Sequence, residues 1–234
     1  MKRLILFTGT LSLLLAACSI FAPVPIATST PTIVPTIAFS PPTVIPSPTP
    51  VQLSLRVKDE LVNCRFGPGT GYETINELPR GETARVIGRN DASSWLYVRD
   101  PGNPGGSCWL SASVVEIEGP VDQLSVILPP FVTVTDVSLR AEPNRIVVNC
   151  SQFPQTVFFE AEITTNGPTL LTWSWEASTG VSSNVGSMIF EEAGTQVINE
   201  FYPIGGPNDY WVKLHILTPN VLEEQVNFPV SCTP

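Results

Sequence analysis

What this sequence has little of narrows its chemistry first. It holds one histidine, His215, and no Gly-x-Ser-x-Gly elbow. A Cys-His or Ser-His-Asp centre would need that one ring beside a nucleophile. His215 alternates with the apolar Leu214 and Ile216, which predicts a ring turned to solvent. Basic residues are scarce: 12 Lys and Arg against 21 Asp and Glu give a net charge of −9 and a pI near 4.6. That balance argues against nucleic acid as a partner, because phosphates need a basic face. There is no Asp-x-Asp-x-Asp run with a glycine turn, so the acidic residues read as a solvated surface, and neither a metal nor a cofactor is expected. No segment sustains a helical period, and no apolar run reaches the roughly 18 residues that cross a bilayer.

Proline is plentiful, and apolar character is concentrated at the start of the chain. Lys2 and Arg3 precede Leu4 to Leu15, an apolar stretch broken by Thr8, Gly9, Thr10 and Ser12. A basic n-region before a short h-region reads as a secretory leader. It ends in Leu15-Ala16-Ala17-Cys18, small residues acceptable to a signal peptidase followed directly by cysteine. This tetrapeptide resembles the lipobox of bacterial lipoproteins. The resemblance implies cleavage before Cys18, a diacylglycerol on its thiol and acylation of the new N-terminus. Two or more acyl chains anchor stably, at about 0.8 kcal/mol per buried CH₂. The expected organisation is a leader over residues 1–17 and a lipidated N-terminus with a linker over 18–51. The protein would then be extracytoplasmic, held at the membrane by its lipid.

Between Ala22 and Pro50 there is no charge and no glycine, while nine prolines recur among Thr, Ser, Val and Ile. Proline removes backbone donors and fixes φ, so neither helix nor sheet is sustained. A disordered, polyproline-like stalk with a reach on the order of 80–90 Å is expected.

From Gln52 short alternating runs take over. Leu53 to Val57, Ala84 to Ile87, Trp95 to Val98 and Cys108 to Leu110 read as strands, with turns at Gly67-Pro68-Gly69 and Asp100-Pro101-Gly102. About five strands over residues 52–118 predict a small barrel. Asn63-Cys64-Arg65-Phe66-Gly67-Pro68-Gly69, Gly81, Gly88, Trp95-Leu96-Tyr97-Val98 and Gly106 with Trp109-Leu110 together resemble a bacterial SH3 domain. Two departures stand out. Cys64 replaces the family's valine, and Ser107-Cys108 is inserted before Trp109. If the first motif strand lies beside the Trp109 strand, Cys64 and Cys108 pair across it. The family's ligand contacts suggest Tyr72, in the loop after the Gly-Pro turn, with Trp95 and Trp109 on flanking strands. For both tryptophans core packing stands as the competing role. The resemblance implies recognition of a cell-wall peptide or peptidoglycan, or of another exported protein.

Residues 119–129 read as a proline-containing connector, and 130–234 as a second all-β unit. Phe131 to Leu139 is strand-like, and Val157, Phe159, Ala161 and Ile163 alternate with polar residues. So do Leu171, Trp173 and Trp175, then Tyr210, Val212, Leu214 and Ile216, and finally Val226, Phe228, Val230 and Cys232. Val197 and Phe201 share a face of one further strand. About seven strands predict an antiparallel β-sandwich. A Cys before the second strand, a Trp-bearing third strand and a Cys closing the last one resemble immunoglobulin-like domains of bacterial surface lipoproteins. With Cys18 acylated, Cys64, Cys108, Cys150 and Cys232 allow three pairings. Cys64–Cys108 with Cys150–Cys232 needs no contact between the domains and is the expected set. This second unit carries three basic residues against eleven acidic ones.

The sequence therefore predicts an all-β protein, an SH3-like barrel followed by an Ig-like sandwich, acting as a tethered, non-catalytic binding module. A glycosidase-like carboxylate pair is not visible in a sequence, and a cell-wall or glycan hydrolase is the contrasting reading. Two small domains with turn-length loops leave little room for its cleft.

Overall fold

The computed structural model describes residues 52–234. The expected leader, Cys18 and the proline-rich linker lie outside them. Among the described residues every extended element is a β-strand, and the helical turns are three short 3₁₀ segments.

The first seven strands are β1 (Leu53–Val57), β2 (Leu61–Arg65), β3 (Thr74–Pro79), β4 (Thr83–Arg89), β5 (Trp95–Arg99), β6 (Ser107–Ser111) and β7 (Val115–Ile117). They form one sheet in the order β3-β2-β6-β5-β4-β1-β7. Period-two alternation builds it. Leu53, Leu55 and Val57 turn inward from β1, and Val62 and Cys64 from β2, to meet Leu96, Val98 and Leu110 in one buried cluster. Cys64 and Cys108 are fully buried there and joined as a disulfide across β2 and β6. The motif strand does run beside the Trp109 strand, with Arg65 opposite Trp109.

The connector is part of this packing. Leu124 is buried in the barrel core, and the chain then runs beside the end of β4. Arg89 N–H donates to Ser125 O at 3.0 Å, and Ile127 N–H donates to Arg89 O at 2.8 Å. Gly88 makes the approach possible, because a Cβ there would overlap the Ile127 side chain.

The second unit has eight strands where seven were expected: β8 (Val134–Glu142), β9 (Ile146–Asn149), β10 (Gln155–Thr165), β11 (Thr169–Ala177), β12 (Gly186–Phe190), β13 (Gly194–Ile204), β14 (Asn208–Thr218) and β15 (Leu222–Thr233). A three-stranded sheet, β13-β10-β8, faces a five-stranded sheet, β12-β11-β14-β15-β9. All neighbours are antiparallel except β9, which lies parallel to β15. Phe159, Trp175, Phe190, Leu214 and Phe228 fill the space between the sheets. Cys150, just after β9, is bonded to Cys232 on β15.

Val197 and Phe201 share a face of β13, as expected, and the register decides which face it is. Ile198 and Ile204 are the buried positions, whereas Val197 and Phe201 lie outside. β10 sets this phase: its inward Ala161 lies opposite Ile198, and its outward Phe158 lies opposite Phe201. Apolar residues occupy both faces of β13, so periodicity alone could not choose between them. Phe131, read as part of a strand, precedes β8 and is almost wholly exposed.

Candidate functional site

On the barrel, β2 turns Val62 and Cys64 inward and so presents Leu61, Asn63 and Arg65 outward. These three form the floor of a groove of about 190 Å³. Trp95, at the start of β5, and Ser111, opposite it on β6, stand at one side with Val114, while Thr70 closes the other. Trp95 is half-buried, and the backbone N–H that starts its strand donates to Asn90 Oδ1 at 3.0 Å, which closes the turn before it. Leu61 leaves 56% of its surface exposed, so the groove offers an indole and an aliphatic side chain beside a guanidinium.

Arg65 is positioned by the loop it borders. Its Nη1 donates to Tyr72 O at 2.7 Å. The same guanidinium also lines a second, larger cleft of about 300 Å³ where barrel and sandwich meet, with Glu73, Thr164, Thr165 and Glu192. Groove and cleft share Arg65 and Thr70. An extended ligand could follow β2 from Trp95 toward the seam.

The three residues proposed from the motif have different places. Trp95 borders the groove. Trp109 is 1% exposed, which leaves it no surface to offer a ligand, and its ring lies 5.0 Å from that of Tyr97. Cys108 and Leu110 point into the barrel core on either side of it, so alternation turns Trp109 to the opposite face. Tyr72 is half-buried, packed over Gly67 and Gly69 and against Gly167 of the sandwich. The loop that carries it docks the two domains: Ala193 N–H donates to Gly71 O at 2.7 Å, and Glu73 N–H donates to Asn166 O at 3.2 Å. Tyr72 thus holds the interface, and its half-buried neighbour Arg65 borders both the groove and the cleft. Leu61, Asn63 and Arg65 were legible as outward residues of an alternating strand, but only the pairing of β2 with β6 shows that they share a groove with Trp95.

On the outer face of the five-stranded sheet, His215 is not turned freely to solvent. Its Nε2 lies 2.8 Å from Glu176 Oε2 and its Nδ1 3.1 Å from Glu223 Oε1, leaving the side chain 23% exposed. The predicted orientation is right in face, since β14 alternates and Leu214 and Ile216 are buried. Flanking carboxylates on β11 and β15 cover the ring. Lys213 Nζ approaches the second oxygen of Glu223 at 3.4 Å, and this cation first, then His215, holds the Glu223 carboxyl below its ordinary value of 4.5. Among the described residues no group of three or more His, Cys, Asp and Glu side chains is arranged to hold a metal ion.

No protein-family model matches the sequence, and no curated protein matches it. Among solved structures, the chain is similar to the CARDB domain of the PF1109 protein of Pyrococcus furiosus, solved in complex with di-metal ions. That match has 11% identity and a TM-score of 0.34, covering 43% of this chain and 96% of that one. It is also similar to the beta-glucuronidase of Parabacteroides merdae, at 10% identity and a TM-score of 0.29 over 76% of this chain, and it spans about a quarter of that enzyme (25%).

Proposed function

We propose that this chain is an extracytoplasmic lipoprotein, anchored through Cys18, whose barrel binds cell-wall peptide without catalysing a reaction. The observation that carries the reading is the groove in which Trp95 and the exposed Leu61 flank Arg65. A short peptide would lay an apolar side chain on the indole and set a carboxylate against the free edge of the guanidinium. Charge-assisted pairing of this kind is directional, and Arg supplies it in a fixed fork. The near-neutral barrel, with seven basic residues against nine acidic ones, suits a zwitterionic wall peptide better than a polyanion.

The test is retention of the purified chain on isolated wall sacculi at physiological salt. The wild type is retained, and Trp95→Ala and Arg65→Gln each release it while their melting temperatures stay close to wild type. Absence of retention of the wild type overturns the reading. For the anchor, Cys18→Ala in cells loses fatty-acid labelling and leaves the membrane fraction.

An exported protein as partner is the second reading. Phe158 and Phe201 favour it, since they lie side by side on the outer face of the three-stranded sheet with 58% and 60% of their surfaces exposed. Adjacent exposed aromatics are enriched at protein interfaces.

A further inference from the structure

The three-stranded sheet of the sandwich ends in an open edge. β13 pairs with β10 over all eleven of its residues without a register break, and it has no hydrogen-bonded strand on its other side. Alternation fixes which backbone groups point there. Phe201 N–H donates to Glu200 Oε1 at 3.0 Å and not to β10, and Pro203, which has no N–H, is in the same phase. The N–H and C=O groups of Val197 and Asn199 share that phase and face away from β10. Sheet edges are commonly blunted by lysine, bulges or a covering segment. β13 carries no Lys or Arg, and its proline is one residue from its end. The other edge of the same sheet differs: β8 breaks register near its start, where Asn220 Oδ1 accepts from Val134 N–H at 2.7 Å.

The sheet face beside the open edge mixes apolar and acidic side chains. Across β10 and β13, Phe158 lies opposite Phe201, Glu160 opposite Asn199 and Glu162 opposite Val197. Across β10 and β8, Glu142 lies opposite Phe158, Asp136 opposite Thr164, and Arg140 pairs with Glu160. All of these turn outward, so four carboxylates (Asp136, Glu142, Glu160 and Glu162) share the face with one guanidinium. Phe158, Phe201 and Val197 are exposed among them.

We propose that β13 accepts an extended segment of a partner protein as an added strand, with the side-chain pattern apolar-x-basic-x-apolar. This rests on the reading of an exported protein as partner and names the surface that would hold it. The free edge selects an extended backbone, which gains main-chain hydrogen bonds from Val197, Asn199 and Phe201. Glu200 releases the Phe201 N–H as the incoming carbonyl takes it. Side chains of the added strand alternate, and those on the outer face lie beside Phe201, Asn199 and Val197 in turn. Phe201, backed by Phe158 with ring centroids 6.3 Å apart, and Val197 select apolar neighbours. Asn199 between them is short, and Glu160 stands behind it on β10, two strand spacings or roughly 10 Å from the added chain. A Lys or Arg reaches over the amide toward Glu160 and Glu162. A second copy of this chain fits less well. Its own β13 would bring Asn199 where a cation is wanted, and chains of net charge −9 repel each other.

The probe is the peptide acetyl-Thr-Phe-Thr-Lys-Thr-Val-Thr-amide, titrated into the whole chain and followed by the amide NMR signals of Val197 and Asn199. It should saturate and shift both signals. Replacing its lysine by glutamate should weaken binding about tenfold, and added salt should weaken the lysine peptide alone. Asn199→Pro removes an edge-facing N–H and leaves the β10 ladder whole, so it should abolish binding at a nearly unchanged melting temperature. A second measurement needs no variant. Of two peptides N-methylated at alternate amides, in opposite phases, one should lose binding and the other keep it. No saturation below about 1 mM overturns the proposal. Equal affinity for the two methylated peptides also overturns it, because the main chain would then not be read. Self-association of the chain that Asn199→Pro abolishes would overturn it in favour of a second copy. Binding lost in Phe158→Ser but kept in Asn199→Pro would leave a protein partner on this face and refute strand addition. Wall retention through Trp95 and Arg65 is independent of all these outcomes, since that groove lies in the barrel.

Discussion

The ring of Tyr72, in the barrel, rests against Gly167, in the turn between β10 and β11 of the sandwich. A Cβ on Gly167 would stand 2.9 Å from Tyr72 Cδ1 and 2.8 Å from Val132 Cγ2, closer than real Cβ contacts come. Glycine is therefore what lets the domains meet here, and the meeting is reinforced by backbone hydrogen bonds on either side of the ring. The loop that follows the Gly-Pro turn, a ligand loop by resemblance, is committed to this contact. The proposed ligand surface is the outer face of β2.

Gly167→Ala should consequently loosen the docking without dissolving either core. Overpacking of this kind costs about 1–3 kcal/mol when neighbours must move. The readouts are the denaturation midpoint and the rate of proteolysis between residues 128 and 132, where Leu128 and Phe131 are exposed. The variant should melt earlier and be cut faster in that segment. Wild-type values for both would mean that Tyr72 and Val132 yield freely and that the contact does not couple the domains.

The two disulfides close loops of different length, 44 and 82 residues. In the chain-entropy model these are worth about 4.0 and about 4.5 kcal/mol. The barrel, as the smaller core, depends more on its staple. Cys64→Ala with Cys108→Ala should unfold the barrel at lower denaturant while the sandwich transition stays in place, and Cys150→Ala with Cys232→Ala should do the reverse. A single unchanged transition in both would show that neither bond limits stability.

Much of this architecture was legible because alternation is strict where one face is buried. The inward sets of β1, β10, β11, β14 and β15 could be read directly, as could the cysteine pairs once each was assigned within one domain. What the sequence left open or missed has a common physical cause. β13 carries apolar side chains on both faces, so its phase depended on the partner strand. β9 and β12 are edge strands of four and five residues, too short to show a period. Nothing local distinguishes Tyr72 as an interface residue, because its partner Gly167 lies 95 positions later in the sequence. Nor is the open edge of β13 visible before β10 has paired with its other side.

Trp95 and Trp109 occupy motif positions of equal prominence and should behave oppositely. Trp109 is buried against Tyr97, and its truncation to alanine should cost about 3–5 kcal/mol in a barrel with little to spare. Trp95 stands at the groove's edge and half-exposed, so Trp95→Ala should cost much less stability and act on ligand retention. Urea titration of the two variants separates these roles. A Trp109→Ala barrel as stable as Trp95→Ala would mean that Trp109 is not a structural anchor.

Glu223 ties sheet chemistry to acid stability. Its carboxylate is stabilised in its charged form chiefly by Lys213; desolvation opposes this, and His215 adds a smaller stabilisation. The folded-state pKa therefore lies below the unfolded one. The stabilisation is complete above the unfolded value, near 4.5, and is lost as pH falls through the lower folded value. The carboxylate is exposed, so salt should weaken the effect further. Lys213→Gln removes the leading cause and should return the Glu223 midpoint toward 4.5, followed by carboxyl carbon NMR. Stability below that pH should then fall less steeply than in the wild type. In 1 M salt the wild-type midpoint should itself rise, since the Debye length shrinks to about 3 Å, comparable to the ion-pair distance. A midpoint indifferent to both the substitution and the salt would assign the shift to His215 alone, and Glu176→Gln, which frees that ring from its other carboxylate, would then be the variant that moves it.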